Sequence, residues 1–326
     1  MIAIAFPFLI WVGNKQRIAP YVRQIMPKLF DLYLEPFGGS GAILLSLPKD
    51  PKRLDIYNDL ERDLVNLFLC VRDQPLALIK ELNFLPINSR EEFNDLKRLL
   101  AHEPAREELD RWEQEESRIA EECFTPEEAM ELQKILRGKA RLRDVRRAAA
   151  YYKVCRFSFS GTRSSYGVKR TVIGHFHGLL QRAATRLQGV VIECRNAITL
   201  IQERGSPTSV IYCDPPYVET EDMYSPEFGE KEHCELHETL KTSDAYVIVS
   251  YNDCEYIRKL YKDFFILAFR RNHPMSKKKG ETFGELIITN FDPRRFMDSQ
   301  LDLFETASVR DHMELVNIPE VVLKAT

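Results

Sequence analysis

No apolar run in the sequence approaches the ~18 residues needed to cross a bilayer, which excludes an integral helical membrane protein. The first residues, Met1 to Phe6, are apolar, but no basic stretch accompanies them and Pro7 interrupts them, so no signal peptide is expected. Cysteine is sparse: 7 in all, an odd number with no C-x-x-C pair, as in a reduced cytoplasmic protein. Also missing is an excess of positive charge, since a net −3 argues against holding a polyanion over the whole surface. No internal repeat or low-complexity linker is visible. What remains is an ordinary globular composition, 44% hydrophobic and 29% charged, in a chain of 326 residues. That length suits one large domain, or a catalytic domain carrying a smaller one.

The near-neutral total conceals an uneven distribution. Twelve acids lie between Glu103 and Glu131, opposed only by Arg106, Arg111 and Arg118. Between Arg137 and Arg170 eleven bases face one acid, Asp144. Such a basic segment suits a phosphate backbone, and its plain alternative is a solvated helical face. Arg270-Arg271 and Lys277-Lys278-Lys279 form a second basic cluster.

Short β-branched and aromatic runs alternate with helical patterns in two blocks. Strands are predicted at Leu32–Phe37 and near Arg53–Tyr57, with helices from about Gly41 and from Asp63. A second block gives strands at Val190–Cys194, Val210–Cys213, Tyr246–Tyr251, Phe264–Phe269 and Glu285–Thr289, with Asn196 capping a helix. This alternation predicts an α/β fold with a mostly parallel sheet. Between the blocks, Glu91–Arg147 is rich in helix formers, and Thr125 and Pro126 open a helix. Arg156–Gly161 then alternates at period two into a glycine, which suggests one arm of a hairpin. The expected division is a discontinuous catalytic domain, 1–74 and 186–291, an inserted domain, 75–185, and a polar tail, 292–326.

The tetrapeptide Asp214-Pro215-Pro216-Tyr217 directly follows a buried strand. In open parallel sheets ligands collect beyond the carboxyl ends of strands. Two prolines stiffen the loop and remove two backbone donors, leaving carbonyls and a carboxylate, all acceptors. Acceptors suit an exocyclic amine, whose lone pair is tied into a base ring until its N–H bonds are gripped. The Asp214 carboxylate and Pro215 carbonyl could grip both, and Tyr217 offers a face for a flipped base. The plain alternative is a rigid surface turn. Glu35-Pro36-Phe37-Gly38-Gly39-Ser40-Gly41 also follows a strand and opens a helix, where glycines let backbone approach a nucleotide. Asp59, after the next strand, either holds ribose hydroxyls or caps a helix.

Taken together, these segments resemble the Dam-like, D12 class DNA adenine methyltransferases. Phe8–Lys15 is similar to that family's F-L-x-W-x-G-x-K segment, with Asn14 where glycine is usual. Glu35–Gly41 matches E-P-F-x-G-x-G, Asp59 with Asp63-Leu64 matches D-x-x-x-D-L, and Asp214–Tyr217 matches D-P-P-Y, in the α-type order. The resemblance implies a Rossmann-like, mostly parallel sheet of the class I methyltransferase type with an inserted, largely helical DNA-recognition domain. It implies S-adenosylmethionine as cofactor, bordered by Trp11, Lys15, Glu35, Gly39, Gly41, Asp59 and Asp214, with Lys15 near the methionine carboxylate. The partner would be double-stranded DNA, contacted through Arg156, Ser158, Ser160, Arg163, Lys169 and Arg170, and the product N6-methyladenine. Ser160-Gly161-Thr162-Arg163-Ser164 departs from the family's N-G-L-x-R, so a GATC target is not expected.

Rival readings at this stage are an N4-cytosine methyltransferase and a DNA-binding protein without turnover. A solitary enzyme and the modification half of a restriction–modification pair both stay open. His233 and His237 stand four apart, a zinc-compatible spacing, but no second ligand pair accompanies them. A surface helix and no metal are expected. In the tail, Gln300-Leu301-Asp302-Leu303-Phe304 resembles the Q-L-[SD]-L-F peptide of proteins that engage the bacterial sliding clamp, through Gln300, Leu301, Leu303 and Phe304.

Overall fold

A computed structural model describes residues 7–82, 89–101, 118, 122–123, 125–130, 144–159, 162–167, 174–217, 228–272, 282–297 and 313–319. Eight strands are present among them: β1 (Leu32–Glu35), β2 (Leu54–Asn58), β3 (Val191–Glu193), β4 (Ser209–Cys213), β5 (Tyr246–Asn252), β6 (Phe265–Asn272), β7 (Thr282–Thr289) and β8 (Met313–Asn317). They form one sheet in the order β3-β2-β1-β4-β5-β7-β6-β8. Strands β1 to β5 pair in parallel, whereas β7 lies antiparallel to both β5 and β6. The parallel core is buried, and its sequence shows why: all five residues of β4 are buried, as in strands covered on both faces.

The chain walks from β1 outward to β2 and β3, then returns to place β4 and β5 on the other side of β1. This reversal between β1 and β4 is the point where open α/β sheets leave a crevice at their carboxyl ends. Both motifs read from the sequence stand there. Asn196 caps the helix Ala197–Arg204 as expected, accepting from the Thr199 amide at 3.1 Å.

Three expectations need correction. The tail was expected to be polar and without strands, yet Met313–Asn317 adds an eighth, antiparallel strand along β6. Its half-buried alternation of Met, Glu, Leu, Val and Asn is too weak a signal to separate from a loop. Arg156 and Phe157 end the helix Val145–Phe157 rather than lying in a strand. Only the end of the predicted arm pairs: Ser158 bridges Tyr166, and Phe159 and Ser165 share a 2.8 Å backbone bond. His233 and His237 are buried, because with Leu236 and Leu240 they occupy the i, i+3, i+4, i+7 stripe of the helix Glu230–Lys241. His237 Nε2 lies 2.8 Å from an Asp263 oxygen and His233 Nδ1 lies 2.8 Å from the Tyr251 hydroxyl. Among the described residues no group of three or more His, Cys, Asp or Glu is placed to hold a metal. Nor is any described helix long and apolar enough to cross a membrane.

The chain divides into two compact units, one taking in Asn14–Leu60 and Gly189–Thr326 and the other Pro7–Gly13 and Glu61–Gln188. The first contains the sheet. In the second, helices Arg62–Asp73, Pro75–Leu82, Arg90–Ala101, Val145–Phe157 and Gly174–Leu187 pack together around Phe8, Phe68, Phe93, Val154 and Phe157. Asp63, in the first turn of its helix, pairs with Arg147, and the Asn66 amide donates to the Asp144 carbonyl at 2.8 Å.

Candidate active site

The glycine turn after β1 is held from three sides. Glu35, fully buried, accepts from the Tyr33 hydroxyl and the Leu44 amide, both at 2.8 Å, fixing the turn to the helix Ala42–Ser46. Gly39 and Gly41 have φ of 49° and 63°, the left-handed region that a side chain disfavours. The Gly39 amide donates to Asp59 Oδ2 at 2.8 Å, while the Gly39 carbonyl accepts from the Tyr57 hydroxyl at 2.7 Å. Asp59 is thereby fixed beside the turn. Asn58, wholly buried, donates to the carbonyls of Pro36 (2.8 Å) and Arg195 (3.0 Å) and accepts from the Arg195 amide (2.9 Å). One amide ties together the chain leaving β1, β2 and β3.

Beyond β4 the Asp214 carboxylate is anchored by a single oxygen. Its Oδ1 accepts from Lys15 Nζ at 2.8 Å and from Ser250 Oγ at 3.0 Å, and Ser250 in turn lies 2.8 Å from the Tyr212 hydroxyl. Among the described residues Oδ2 accepts no hydrogen bond. Lys15 is nearly buried, is 3.6 Å from Glu285 Oε1, and stands 4.8 Å from the centre of the Tyr217 ring. The Tyr217 hydroxyl donates to that same Glu285 oxygen at 3.0 Å. Burial alone would lower the Lys15 pKa, but Asp214 and Glu285 outweigh it and hold the ammonium above its ordinary value. Burial pushes Asp214 up from the usual carboxylate range against the opposing pull of Lys15. One cation shared by two carboxylates compensates neither fully.

An aromatic wall adjoins the loop. Tyr217 neighbours Tyr251 at 6.2 Å, Tyr251 adjoins His233, and Phe228 contacts His233 at 4.9 Å and Phe37 of the glycine turn at 5.5 Å. Tilted and edge-on rings thus back the Tyr217 ring beside the loop.

Residues 11–273 match the family of D12 class N6 adenine-specific DNA methyltransferases. The chain belongs to this family. A type II methyltransferase, M1.LlaDCHI of Lactococcus lactis subsp. cremoris, is 24% identical over 314 residues, spanning 87% of this chain and 95% of that protein. The type II methyltransferase M.MjaIII of Methanocaldococcus jannaschii is 34% identical over 96 residues, 28% of this chain and 32% of its own. A DNA adenine methylase of Vibrio cholerae is 32% identical over 87 residues, 26% of this chain and 30% of its own. The chain is an adenine-specific DNA methyltransferase, and the N4-cytosine alternative falls away. Membership implies S-adenosylmethionine as the methyl donor.

Trp11 belongs to the second compact unit, where the Arg163 guanidinium lies 5.2 Å from its ring. Arg163 itself, left-handed at φ 60°, pairs with Glu61 and donates to the Tyr151 hydroxyl at 2.7 Å. The Arg156 guanidinium stacks 3.7 Å from the Phe176 ring. The expectation that Ser158 meets DNA is corrected: it is fully buried, and its hydroxyl donates to the Cys155 carbonyl at 3.1 Å. Ser160, Lys169 and Arg170, and Gln300, Leu301, Leu303 and Phe304, lie outside the described residues. Glu285, Ser250 and Asn58 were not singled out from sequence. Glu285 had a signal, since it is the lone charge leading an apolar strand, Leu286-Ile287-Ile288.

Proposed function

We propose that methyl transfer takes place at the carboxyl ends of β1 and β4, with Asp214 as the residue that grips the adenine amine. The observation that carries this reading is the one-sided anchoring of Asp214: Oδ1 is engaged by Lys15 and Ser250, and among the described residues Oδ2 accepts no hydrogen bond. Oδ2 and the Pro215 carbonyl would accept the two N–H bonds of adenine N6, drawing the lone pair out of ring conjugation and opposing the positive charge that develops on nitrogen. The Tyr217 ring would stack the flipped base, and Asp214 Oδ2 would take up the proton released after transfer. The glycine turn fits a nucleoside cofactor, because left-handed glycines leave its backbone uncovered and Asp59 presents a carboxylate at the end of β2. Glu35, Gly39, Gly41 and Asp59 would hold S-adenosylmethionine, with Lys15 at its border. When bound, it supplies a methyl group on a positively charged sulfur that retains the bonding electrons. Tritiated methyl transfer followed by nucleoside analysis tests the site, with Asp214 substitution as the deciding comparison.

The second compact unit is the candidate for an inserted, largely helical recognition domain, a role supported by the basic composition of Arg137–Arg170. In its hairpin Arg163 is committed to Glu61 and Tyr151, and Arg156 to Phe176, whereas Phe159 is 58% exposed. The outward aromatic is therefore the better DNA contact. Phe159→Ala is expected to weaken DNA binding about tenfold in a titration at fixed salt while leaving cofactor affinity unchanged, since one base–aromatic stack is worth roughly 1–3 kcal/mol. Equal DNA affinity of the two proteins would remove the hairpin from the interface. The type II name of the Lactococcus relative supports a restriction–modification setting. The peptide 300–304 is proposed to engage a sliding clamp, supported by its sequence alone. A Leu303→Ala, Phe304→Ala double variant should then lose clamp binding in a pull-down with purified clamp while methylating DNA normally.

A further inference from the structure

We propose that Glu285 is a positioning residue of the methyl-transfer site: it shares the charge of Lys15 and holds the Tyr217 hydroxyl, so that the buried set keeps a net negative charge facing the amine. The inference rests on the reading of Asp214 given above. Glu285 is 1% exposed and sits on β7, opposite Asn252 of β5 and Phe269 of β6, inside the sheet rather than on a loop. A buried acid there costs folding energy. Its Oε1 is within 3.6 Å of Lys15 Nζ and 3.0 Å of the Tyr217 hydroxyl.

Charge balance gives the reason. Lys15 and Asp214 alone, 2.8 Å apart, would be a neutral pair, and a neutral pair does little for a cation forming on the adenine nitrogen. An ammonium so close would even oppose that cation. With Glu285 the buried set carries two carboxylates against one ammonium, a net negative charge facing the place where positive charge appears. The Tyr217 bond adds geometry. The ring that would stack the base is fixed at its hydroxyl by Glu285 and lies over Lys15, so removing Glu285 releases both the ring and the cation.

The test is single-turnover methylation against pH, with cofactor and DNA affinities measured separately, for the full chain and for Glu285→Gln, Glu285→Asp, Tyr217→Phe and Asp214→Asn. Glu285→Gln keeps the size and a bond acceptor but removes the charge. It should lower the methylation rate about a hundredfold, in the range found on removing one preorganised electrostatic partner, with both affinities within about threefold. Because the Glu285 charge contributes to raising Asp214, its removal should also move the acid limb of the rate profile to lower pH. Glu285→Asp should recover part of the rate. Tyr217→Phe, which leaves the buried pair intact and serves if Glu285→Gln does not fold, should slow transfer about tenfold at unchanged cofactor affinity, roughly one hydrogen bond of alignment. A Glu285→Gln enzyme with wild-type rate and acid limb overturns the proposal, as does a wild-type rate in Tyr217→Phe if the first variant is unfolded. An active Asp214→Asn protein instead overturns the underlying reading of the site.

Discussion

Asp214→Ala is expected to eliminate measurable methyl transfer to DNA, a loss of at least about a thousandfold, while cofactor binding survives in part. The size follows from what leaves together: an acceptor for an amine proton, a negative charge beside a developing cation, and the counter-ion that orients Lys15. The conservative Asp214→Asn substitution separates these. It keeps the shape and one acceptor but loses the charge, and an amide whose nitrogen faces the substrate amine sets donor against donor. Transfer should therefore remain severely impaired. The pH dependence gives an independent check. Burial raises the Asp214 pKa, so acidification should protonate it, and the rate should fall, at a pH above the ordinary aspartate range. Rates that stay flat down to that ordinary range would show that Asp214 is not the titrating acceptor.

The second large effect is expected at a residue no motif highlights. In Gly38→Ala the new methyl carbon would fall 2.2 Å from Tyr57 Cε2 and 2.8 Å from the Asn58 carbonyl oxygen. Neither neighbour can retreat cheaply. The Tyr57 ring is buried and its hydroxyl holds the Gly39 carbonyl, while Asn58 O accepts from the Gly38 amide at 2.7 Å. Overpacking of this kind costs about 3 kcal/mol, which for a chain of this size lowers the melting temperature by roughly 4–5 °C. Relief by moving the turn would displace Gly39 and with it Asp59, so cofactor affinity should fall as well. Calorimetry and cofactor titration read the two consequences separately. A variant that melts and binds like the parent would mean the turn shifts freely.

Much of this was legible before any coordinates. The apolar runs that became β1, β4 and β5 are continuous because parallel strands are buried on both faces, and such runs identify themselves. Asp214 and the glycine turn follow two of those strands directly, so their place at the sheet's carboxyl edge could be read from order alone. Glu285 could not be assigned a role this way. Its partners, Lys15 and Tyr217, lie far from it in sequence, Tyr217 by 68 positions and Lys15 near the chain's start, and β7 is brought beside β5 by pairing. Gly38 shows the converse limit. The family pattern leaves its position open, and its constraint is a neighbouring ring whose proximity is set by the pairing of β1 and β2. The hairpin was half visible: period two found the pairing at Ser158, but helix propagation through Phe157 consumed the first two residues of the predicted arm.

The bond from Asn58 to Arg195 joins residues 137 positions apart, yet they cap neighbouring strands. Everything between β2 and β3 is, for the sheet, a single connection. The entropy of closing a connection rises only with the logarithm of its length, about 0.6 kcal/mol for each doubling. The sheet is therefore nearly indifferent to what that connection contains, and a different length of chain could be accommodated at small cost.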